Sequence, residues 1–238
     1  MDKLIANAAK LGVALTEEQA AAFEAFYLIL VDWNRKVNLT AITNETEVRD
    51  KHFLDSLTAA LAFNFGDSSR LLNVIDIGSG AGFPGLPLKI AYPHIHLTLL
   101  EATAKKTQFL EYVVKKFGLK DVQIINGRAE DVAHQQQHRE KYQVVLSRAV
   151  ASLPVLAEIA LPFCAPGGLF IAFKKGDILD ELQQSGRAVD IMGGTLKEII
   201  PVGPELFDDE RRLVVIEKIK PSPEGYPRRP GMPEKRPL

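Results

Sequence analysis

The residues with the clearest chemical meaning form a glycine-rich stretch, NVIDIGSGAGFPGLPLKI, which runs from Asn73 to Ile90. Its glycines fit two registers. Gly80 to Gly85 reads G-x-G-x-x-G, the dinucleotide fingerprint in which a pyrophosphate lies on a helix N-terminus. Asp76 to Gly82 reads D-x-G-x-G-x-G, a register that suits an adenosyl methyl donor with its sulfonium and ammonium groups. The first register predicts hydride transfer and the second predicts methyl transfer.

Asp76 favours the second register. A carboxylate at this point would repel a pyrophosphate, whereas it would attract the cationic groups of S-adenosylmethionine. The apolar strand core leaves Gly78 as the first residue able to turn, and Pro84 suits the first turn of the next helix. We therefore expect the functional turn at Gly78 to Gly82, with Gly80 bordering the cofactor.

Acidic residues end the next two predicted strands. Glu101 closes LTLLEA, where a carboxylate accepts hydrogen bonds from ribose hydroxyls in either class of cofactor. Glu130 follows the third strand within AED, where it could meet the exocyclic amine of adenine. The glycine loop and these two carboxylates predict a nucleoside site at the carboxyl edge of a parallel sheet.

The elements that must position these residues alternate in type from residue 71 onwards. Short β-branched runs are separated by helical stretches, which predicts parallel strands with right-handed crossovers and helices on both faces. The last two strands, TLKEIIPV and RRLVVIEKI, are joined by the short GPELFDDE and should pair antiparallel. We therefore predict an α/β, Rossmann-like fold of S-adenosylmethionine-dependent methyltransferases, with a seven-stranded, mostly parallel sheet. Residues 1–70 are expected to form an N-terminal helical extension, residues 71–220 the methyltransferase domain, and residues 221–238 a basic, proline-rich tail.

The composition is that of an ordinary globular protein, with 238 residues, 46% of them apolar, and a net charge of −1. No apolar run approaches the ~18 residues of a membrane span, and the N-terminus lacks the apolar core of a signal peptide. Cys164 is the single cysteine, which excludes an intrachain disulfide and a multi-cysteine metal site. His134 and His138 lie among glutamines, in what we interpret as a solvated helix. We expect a cytoplasmic monomer that binds neither a metal nor a membrane.

Basic residues predict contacts with RNA. Residues 218–238 contain six lysines and arginines but two glutamates. Their many prolines predict an extended tail that could lie along a phosphate backbone, with contacts at Arg228, Arg229, Lys235 and Arg236. Lys174 and Lys175 follow the fifth strand, where they could meet the same backbone or form a solvated loop.

Arg148 lies at the end of the fourth strand and has several possible partners. It could contact an RNA phosphate or guanine O6, or orient the cofactor carboxylate. An ion pair with Asp76 or Glu130 would explain it equally well. The strand ends in Ser-Arg-Ala and not in the Asn-Pro-Pro-aromatic box of enzymes that methylate amines, which argues against an exocyclic amine as the target.

In the order of its motifs the chain resembles the RsmG family, also called glucose-inhibited division protein B. The shared motifs are WNRKVNLTAIT, KHFLDSL, DIGSGAGFPGLPLKI, LLEATAKKTQFL, GRAED, LSRAVASL, KKG and the tail YPRRPGMPEKRPL. The resemblance implies an S-adenosylmethionine-dependent enzyme that methylates N7 of a guanosine in bacterial 16S ribosomal RNA, free or within a small-subunit precursor. It also implies cofactor contacts at Gly78, Phe83, Glu101, Ala102, Thr103, Ala129, Glu130 and Arg148.

Guanine N7 carries a lone pair and no proton, so this reaction needs no general base and depends mainly on alignment. We accordingly assign no catalytic residue, with Arg148 as the candidate assistant. Two alternatives remain open at this point. One is an NAD-dependent oxidoreductase that uses the Gly80 to Gly85 register, and the other is a non-catalytic RNA-binding protein on a methyltransferase fold.

Overall fold

A computed structural model describes residues 1–148, 151–203 and 205–238. Ala149, which belongs to the predicted end of the fourth strand, and Pro204, which belongs to the predicted GPELFDDE connection, lie outside the described residues together with Val150. Within the described ranges, no helix is both long enough and apolar enough to span a membrane.

Seven strands form one sheet in the order β3-β2-β1-β4-β5-β7-β6. Their bounds are β1 Asn73–Ile77, β2 His96–Glu101, β3 Val122–Asn126, β4 Tyr142–Arg148, β5 Cys164–Lys175, β6 Gly194–Val202 and β7 Arg211–Lys218. Strands β1 to β5 pair in parallel, and β7 pairs antiparallel with both β5 and β6. The predicted mostly parallel sheet with an antiparallel last pair is confirmed.

Helices precede, connect and follow the strands. Their bounds are α1 Asp2–Lys10, α2 Glu17–Asn34, α3 Glu45–Val48, α4 Asp55–Leu57, α5 Gly85–Ala91, α6 Ala104–Phe117, α7 Ala129–Val132, α8 Leu153–Ala160, α9 Leu179–Ile191 and α10 Met232–Lys235. A π-helical segment, Arg49–Leu54, joins α3 to α4. Thr16 and Gln19 form a capping box at the start of α2, and Gly118 ends α6 in the left-handed conformation that glycine adopts without penalty.

The two faces of the sheet carry separate hydrophobic cores. Successive residues of a strand point to opposite faces, so Val74 contributes to one core and Ile75 to the other. The N-terminal helices pack on the first face through Phe26 and Phe53, beside Phe109 of α6. Helices α8 and α9 cover the second face. The N-terminal helices therefore share a core with the sheet that they border.

The antiparallel direction of β7 shapes the functional edge of the sheet. Because β7 runs against β5, its first residue, Arg211, lies opposite Lys175 at the end of β5. Arg148, the last residue of β4, lies opposite Phe173, which is also in β5. The cationic ends of three strands are thereby brought to one edge.

The C-terminal tail differs from its prediction. It is not an extended arm but folds back on the sheet domain and contains the short helix α10. The guanidinium of Arg139 donates hydrogen bonds to the carbonyls of Ser222, Pro223 and Tyr226, at 2.9 to 3.0 Å. Intramolecular partners thus satisfy backbone groups that an extended tail would expose to solvent.

The helix predicted around His134 and His138 was also wrong, and the predicted exposure to solvent holds for His134 but not for His138. These residues lie in turns, and His138 is buried with its Nδ1 2.7 Å from the Tyr142 hydroxyl. The Nε2 atom of His134 lies 2.9 Å from the carbonyl oxygen of Pro227 and donates a hydrogen bond to it. His134 itself remains exposed, so the segment lies at the surface, where His134 contacts the tail. This contact is distant in sequence, and no local pattern predicts it.

Candidate functional site

The glycine loop between β1 and α5 has the backbone that its sequence demands. Gly78, Gly80 and Gly82 have φ values of +71°, +57° and +88°, a region that side-chain-bearing residues rarely adopt. A Cβ atom at Gly82 would collide with Leu86, so this glycine lets α5 pack closely. A Cβ atom at Gly80 would meet only the carbonyl oxygen of Gly78, at 3.9 Å, among the described residues. The space in front of Gly80 is therefore open, as a cradle for a cofactor requires.

Glu101 holds this loop from the end of β2. Its buried carboxylate accepts hydrogen bonds from the Gly80 N–H at 2.9 Å and from the Thr103 N–H at 2.8 Å. A carboxylate offers about four lone-pair sites. Glu101 can therefore fix the loop and still accept hydroxyl groups, as predicted for a ribose.

A cavity of about 180 Å³ lies beside the loop. Among the residues predicted to contact the cofactor, those that line it are Gly78, Ala102, Ala129 and Glu130. Apolar side chains from β1, β2 and α8 complete much of its wall, together with Pro233 and Glu234 of the tail. We refer to it as the loop cavity. Its mixture of apolar wall and carboxylates fits the adenosine part of S-adenosylmethionine.

Glu130 lines the loop cavity and is held there by two hydrogen bonds. Its Oε1 atom accepts a hydrogen bond from the Gly231 N–H at 3.0 Å and from Arg128 at 3.2 Å. Burial acts to raise the pKa of Glu130, but these hydrogen bonds lower the pKa below its usual value. The group is therefore a carboxylate at neutral pH, able to accept a hydrogen bond from an amine.

The environment of Asp76 differs from the one expected from the sequence, in which its carboxylate attracts the cationic groups of the cofactor. The carboxyl group is fully buried beneath the loop, where Oδ2 accepts a hydrogen bond from the Gly85 N–H at 2.9 Å. Its Oδ1 atom has no hydrogen-bond partner among the described residues. Burial raises the pKa of Asp76 to about 7. Asp76 thus supports the start of α5 and offers a cationic cofactor less attraction than a free carboxylate would.

We expect an Asp76→Asn variant to gain stability relative to the parent protein as the pH rises from about 4 to 8. The folded state keeps a proton on Asp76 that the unfolded chain has lost, so this group's stabilising contribution disappears as the pH passes 7. A shift from 3.8 to about 7 corresponds to on the order of 4 kcal/mol. Urea unfolding of both proteins at several pH values measures the difference. Parallel stability curves would show that Asp76 titrates normally.

A second cavity, of about 370 Å³, lies at the ends of β4, β5 and β7. We call it the cationic cavity because its lining includes the basic residues Lys51, Arg148, Lys174, Lys175, Arg211 and Arg212. Asp55 of α4 lies among them and is buried. Its two carboxylate oxygens pair with Arg148 at 2.8 Å and with Arg211 at 2.5 Å. One carboxylate thus fixes two guanidinium groups that come from different strands.

His52 and Phe83 connect the cationic cavity to the glycine loop. The His52 ring stacks on the Phe83 ring with centroids 4.6 Å apart, and the Arg148 guanidinium lies 5.1 Å from the same ring. Burial and the neighbouring Arg148 lower the pKa of His52 to about 3. The Nδ1 atom of His52 lies 3.1 Å from both the Arg148 guanidinium and the Lys51 carbonyl oxygen, and its Nε2 atom lies 2.8 Å from the Thr40 hydroxyl. His52 is therefore a fixed support and not an acid or base at neutral pH.

The contacts of Arg148 distinguish among the roles predicted for it. Arg148 pairs with Asp55, so neither Asp76 nor Glu130, the partners considered from sequence, is its ion-pair partner. It lines the cationic cavity, whereas the described lining of the loop cavity does not include it. The ring of Phe83, another predicted cofactor contact, is buried between the N-terminal helices and Arg148.

The other predicted RNA contacts separate into engaged and exposed residues. Lys174 pairs with Glu181 at 2.7 Å, and Lys175, which is exposed, pairs with Asp209 at 3.0 Å. Arg228 forms an ion pair with the buried Glu158 at 2.6 Å and does not present a free guanidinium. The remaining predicted contacts, which are exposed, are Arg229, Lys235 and Arg236.

Sequence reasoning missed Arg211. Its side chain is almost fully buried, pairs with Asp55 and Asp209, and covers the ring of Phe207 at 4.2 Å. A usable signal existed, because a last strand that is antiparallel must begin at the edge where the parallel strands end. The basic pair that opens RRLVVIEKI therefore had to lie near Arg148.

Comparison with known proteins agrees with this architecture. The sequence matches the model of one family, described as "rRNA small subunit methyltransferase G", over residues 19–208. A protein of Dehalococcoides mccartyi strain CBDB1, named ribosomal RNA small subunit methyltransferase G, is 50% identical over 238 residues, which is 100% of both chains. A protein of the same name from Brevibacillus brevis is 42% identical and covers 95% of this chain and 94% of its own.

Solved structures with the same fold are more distant. TrmN from Thermus thermophilus superposes with a TM-score of 0.52 at 17% identity, over 72% of this chain and 53% of that one. TYW2 of M. jannaschii, solved in complex with AdoMet, superposes with a TM-score of 0.50 at 15% identity, over 65% and 73% of the two chains. At these identities the likeness establishes the fold alone. Because the family match and the relatives extend over most or all of its length, the chain belongs to the rRNA small subunit methyltransferase G family.

Proposed function

We propose that this protein transfers the methyl group of S-adenosylmethionine to N7 of a guanosine in 16S ribosomal RNA, as part of small-subunit RNA modification in the cytoplasm. The observation that carries the proposal is membership of the family over nearly the whole chain. The two neighbouring cavities provide a physical basis for it. One has the features of a nucleoside site, and the other is lined by cations that suit a nucleic acid.

The loop cavity is our candidate for the cofactor. When bound, S-adenosylmethionine supplies a methyl group activated by a sulfonium. Glu101 would accept the ribose hydroxyls, and Glu130 would accept a hydrogen bond from the adenine amine. The backbones of Gly78 and Gly80 would approach the ligand closely because neither carries a side chain, and Ala102, Thr103 and Ala129 would border it.

The cationic cavity is our candidate for the target guanosine. Arginine pairs well with the acceptor atoms of guanine, and Arg148 is fixed for such a contact by Asp55 and His52. With N7 reserved for methylation, O6 is the acceptor left for Arg148. A base must leave the stacked RNA to enter a cavity of this kind, which favours a loop or another unpaired segment. Lys175 and the exposed basic residues of the tail would contact the flanking phosphates.

No residue has to remove a proton in the proposed reaction, because guanine N7 carries none. The neutral, fully engaged His52 agrees with this requirement. The literal G-x-G-x-x-G pattern has a packing explanation, which weakens the case for a dinucleotide. A Cβ atom at Gly85 would lie 2.6 Å from Leu99 and 3.0 Å from Asp76, so close helix packing alone requires this glycine.

The test is methyl transfer with methyl-labelled S-adenosylmethionine and small-subunit RNA, or small subunits, that lack the modification. We expect label in the RNA and strand cleavage at one guanosine after borohydride and aniline treatment, which cut at N7-methylguanosine. Label that appears only on protein would refute the proposal. Labelled RNA that resists cleavage would refute the N7 position while retaining the methyltransferase.

A further inference from the structure

The C-terminal tail is anchored to the domain by a buried ion pair. Glu158 of α8 is fully buried, and both of its oxygens accept hydrogen bonds from Arg228. Loss of Arg228 would leave an uncompensated buried charge, which is strongly destabilising. Tail docking is therefore a built-in feature of the fold and not an incidental contact.

Beyond this anchor, the tail reaches the loop cavity. The Gly231 N–H donates a hydrogen bond to Glu130 Oε1, the carboxylate oxygen that Arg128 also contacts. Gly231 has φ of +78°, and the chain then enters α10. Pro233 is buried, and together with Glu234 it lines the loop cavity. The tail thus supplies one wall and one hydrogen bond to the candidate cofactor site.

The charges of the tail are divided between two faces. Arg228 points inward to Glu158, whereas Arg229, Lys235 and Arg236 are exposed. The residues that touch the loop cavity are different from the exposed cations. A role in cofactor binding and a role in RNA binding can therefore be separated by substitution.

We propose that Gly231, Pro233 and Glu234 complete the adenine end of the cofactor site, with Gly231 as a positioning residue for Glu130 and Pro233 as part of the wall. The proposal rests on the placement of the cofactor in the loop cavity made above. It assigns the tail to cofactor binding in addition to any contact of its outer face with RNA. Contacts at the adenine end should matter equally for every ligand that carries adenosine.

The experiment measures affinity for S-adenosylmethionine and for 5′-methylthioadenosine by calorimetry. One variant ends after Pro230, which keeps the pair of Arg228 and Glu158. A second, Gly231→Pro, lacks the N–H that contacts Glu130 and cannot adopt the positive φ. We expect both variants to lose about tenfold or more in affinity for both ligands. Methyl transfer at saturating cofactor should fall less than the affinity, which a general loss of folding would not produce.

The matched control replaces the exposed cations, as Arg229→Ala, Lys235→Ala and Arg236→Ala in one chain. We expect this variant to keep cofactor affinity within about twofold and to bind small-subunit RNA more weakly, with a smaller salt dependence. Parent-like affinity for S-adenosylmethionine in both the truncated chain and Gly231→Pro would overturn the proposal. A parent protein that binds the cofactor but methylates no RNA would refute the proposed function and leave this test unaffected.

Discussion

A Gly80→Arg variant is expected to lose affinity for S-adenosylmethionine by roughly 100-fold or more while it keeps its fold. The space in front of Gly80 is open, so a long side chain there would occupy the region that the cofactor needs. The backbone at Gly80 is left-handed, with φ of +57°, so any side chain also adds ~1–2 kcal/mol of strain. We therefore expect the thermal midpoint to fall by several degrees, in contrast to the large loss of affinity.

Gly118→Arg is the matched control for this experiment. Gly118 has φ of +60°, and a Cβ atom there would have no described neighbour within 4 Å, so the variant adds the same charge and a similar strain. Gly118 ends α6 shortly before β3 begins, at the opposite edge of the sheet from the loop. Calorimetry and thermal unfolding of both variants separate blocked binding from strain. Equal affinity in the two variants would show that the cofactor does not lie against Gly80.

An Arg148→Met variant is expected to reduce methyl transfer to small-subunit RNA by roughly 10- to 100-fold, while affinity for S-adenosylmethionine stays within about twofold. One arginine contact with guanine contributes about 1–3 kcal/mol. The guanidinium lines the cationic cavity and not the loop cavity, which is why the two measurements should separate. Asp55 keeps its pair with Arg211, so its buried carboxylate retains a partner.

Two further variants test whether the effect of Arg148 depends on its guanidinium group or on its charge alone. Arg148→Lys keeps the charge but loses the planar guanidinium, and we expect it to be impaired as well. Arg187→Met removes an exposed arginine of α9 and is the control for net charge. Initial rates at saturating cofactor, with calorimetry of cofactor binding, give both quantities. If cofactor affinity falls as far as methyl transfer, Arg148 belongs to the cofactor site, which is the other role considered from sequence.

The two glycine registers show how far a motif can be interpreted before the fold is known. Both registers are real patterns, and both Gly82 and Gly85 are needed where they stand. Gly82 lets the loop pack against Leu86 of α5, and Gly85 lets α5 pack against Leu99 of β2. A motif search cannot distinguish such packing from ligand contact. The charge of Asp76 favoured the methyltransferase interpretation of the sequence. In the fold, however, that carboxyl group is buried, and burial raises its pKa to about 7.

The amino-acid sequence alone was enough to predict the strands and their parallel and antiparallel pairing. It also predicted the turn at Gly78 to Gly82 and the position of the Glu101 carboxylate at the end of the second strand. These features depend on local rules, namely the period of apolar residues, the lengths of connections and the freedom of glycine at positive φ. Family motifs along the whole chain added the cofactor and the substrate class.

Which side chains meet was settled by the three-dimensional packing. Asp55 joins Arg148 to Arg211, and Glu158 fixes Arg228, across long stretches of chain that no local pattern relates. An arginine in the sequence has the same charge whether it pairs with a buried carboxylate or faces RNA. Burial and the groups packed around it determine the outcome, because a charge removed from water must find a partner. For this reason the tail, predicted from composition as an RNA-binding arm, proved to be folded against the loop cavity.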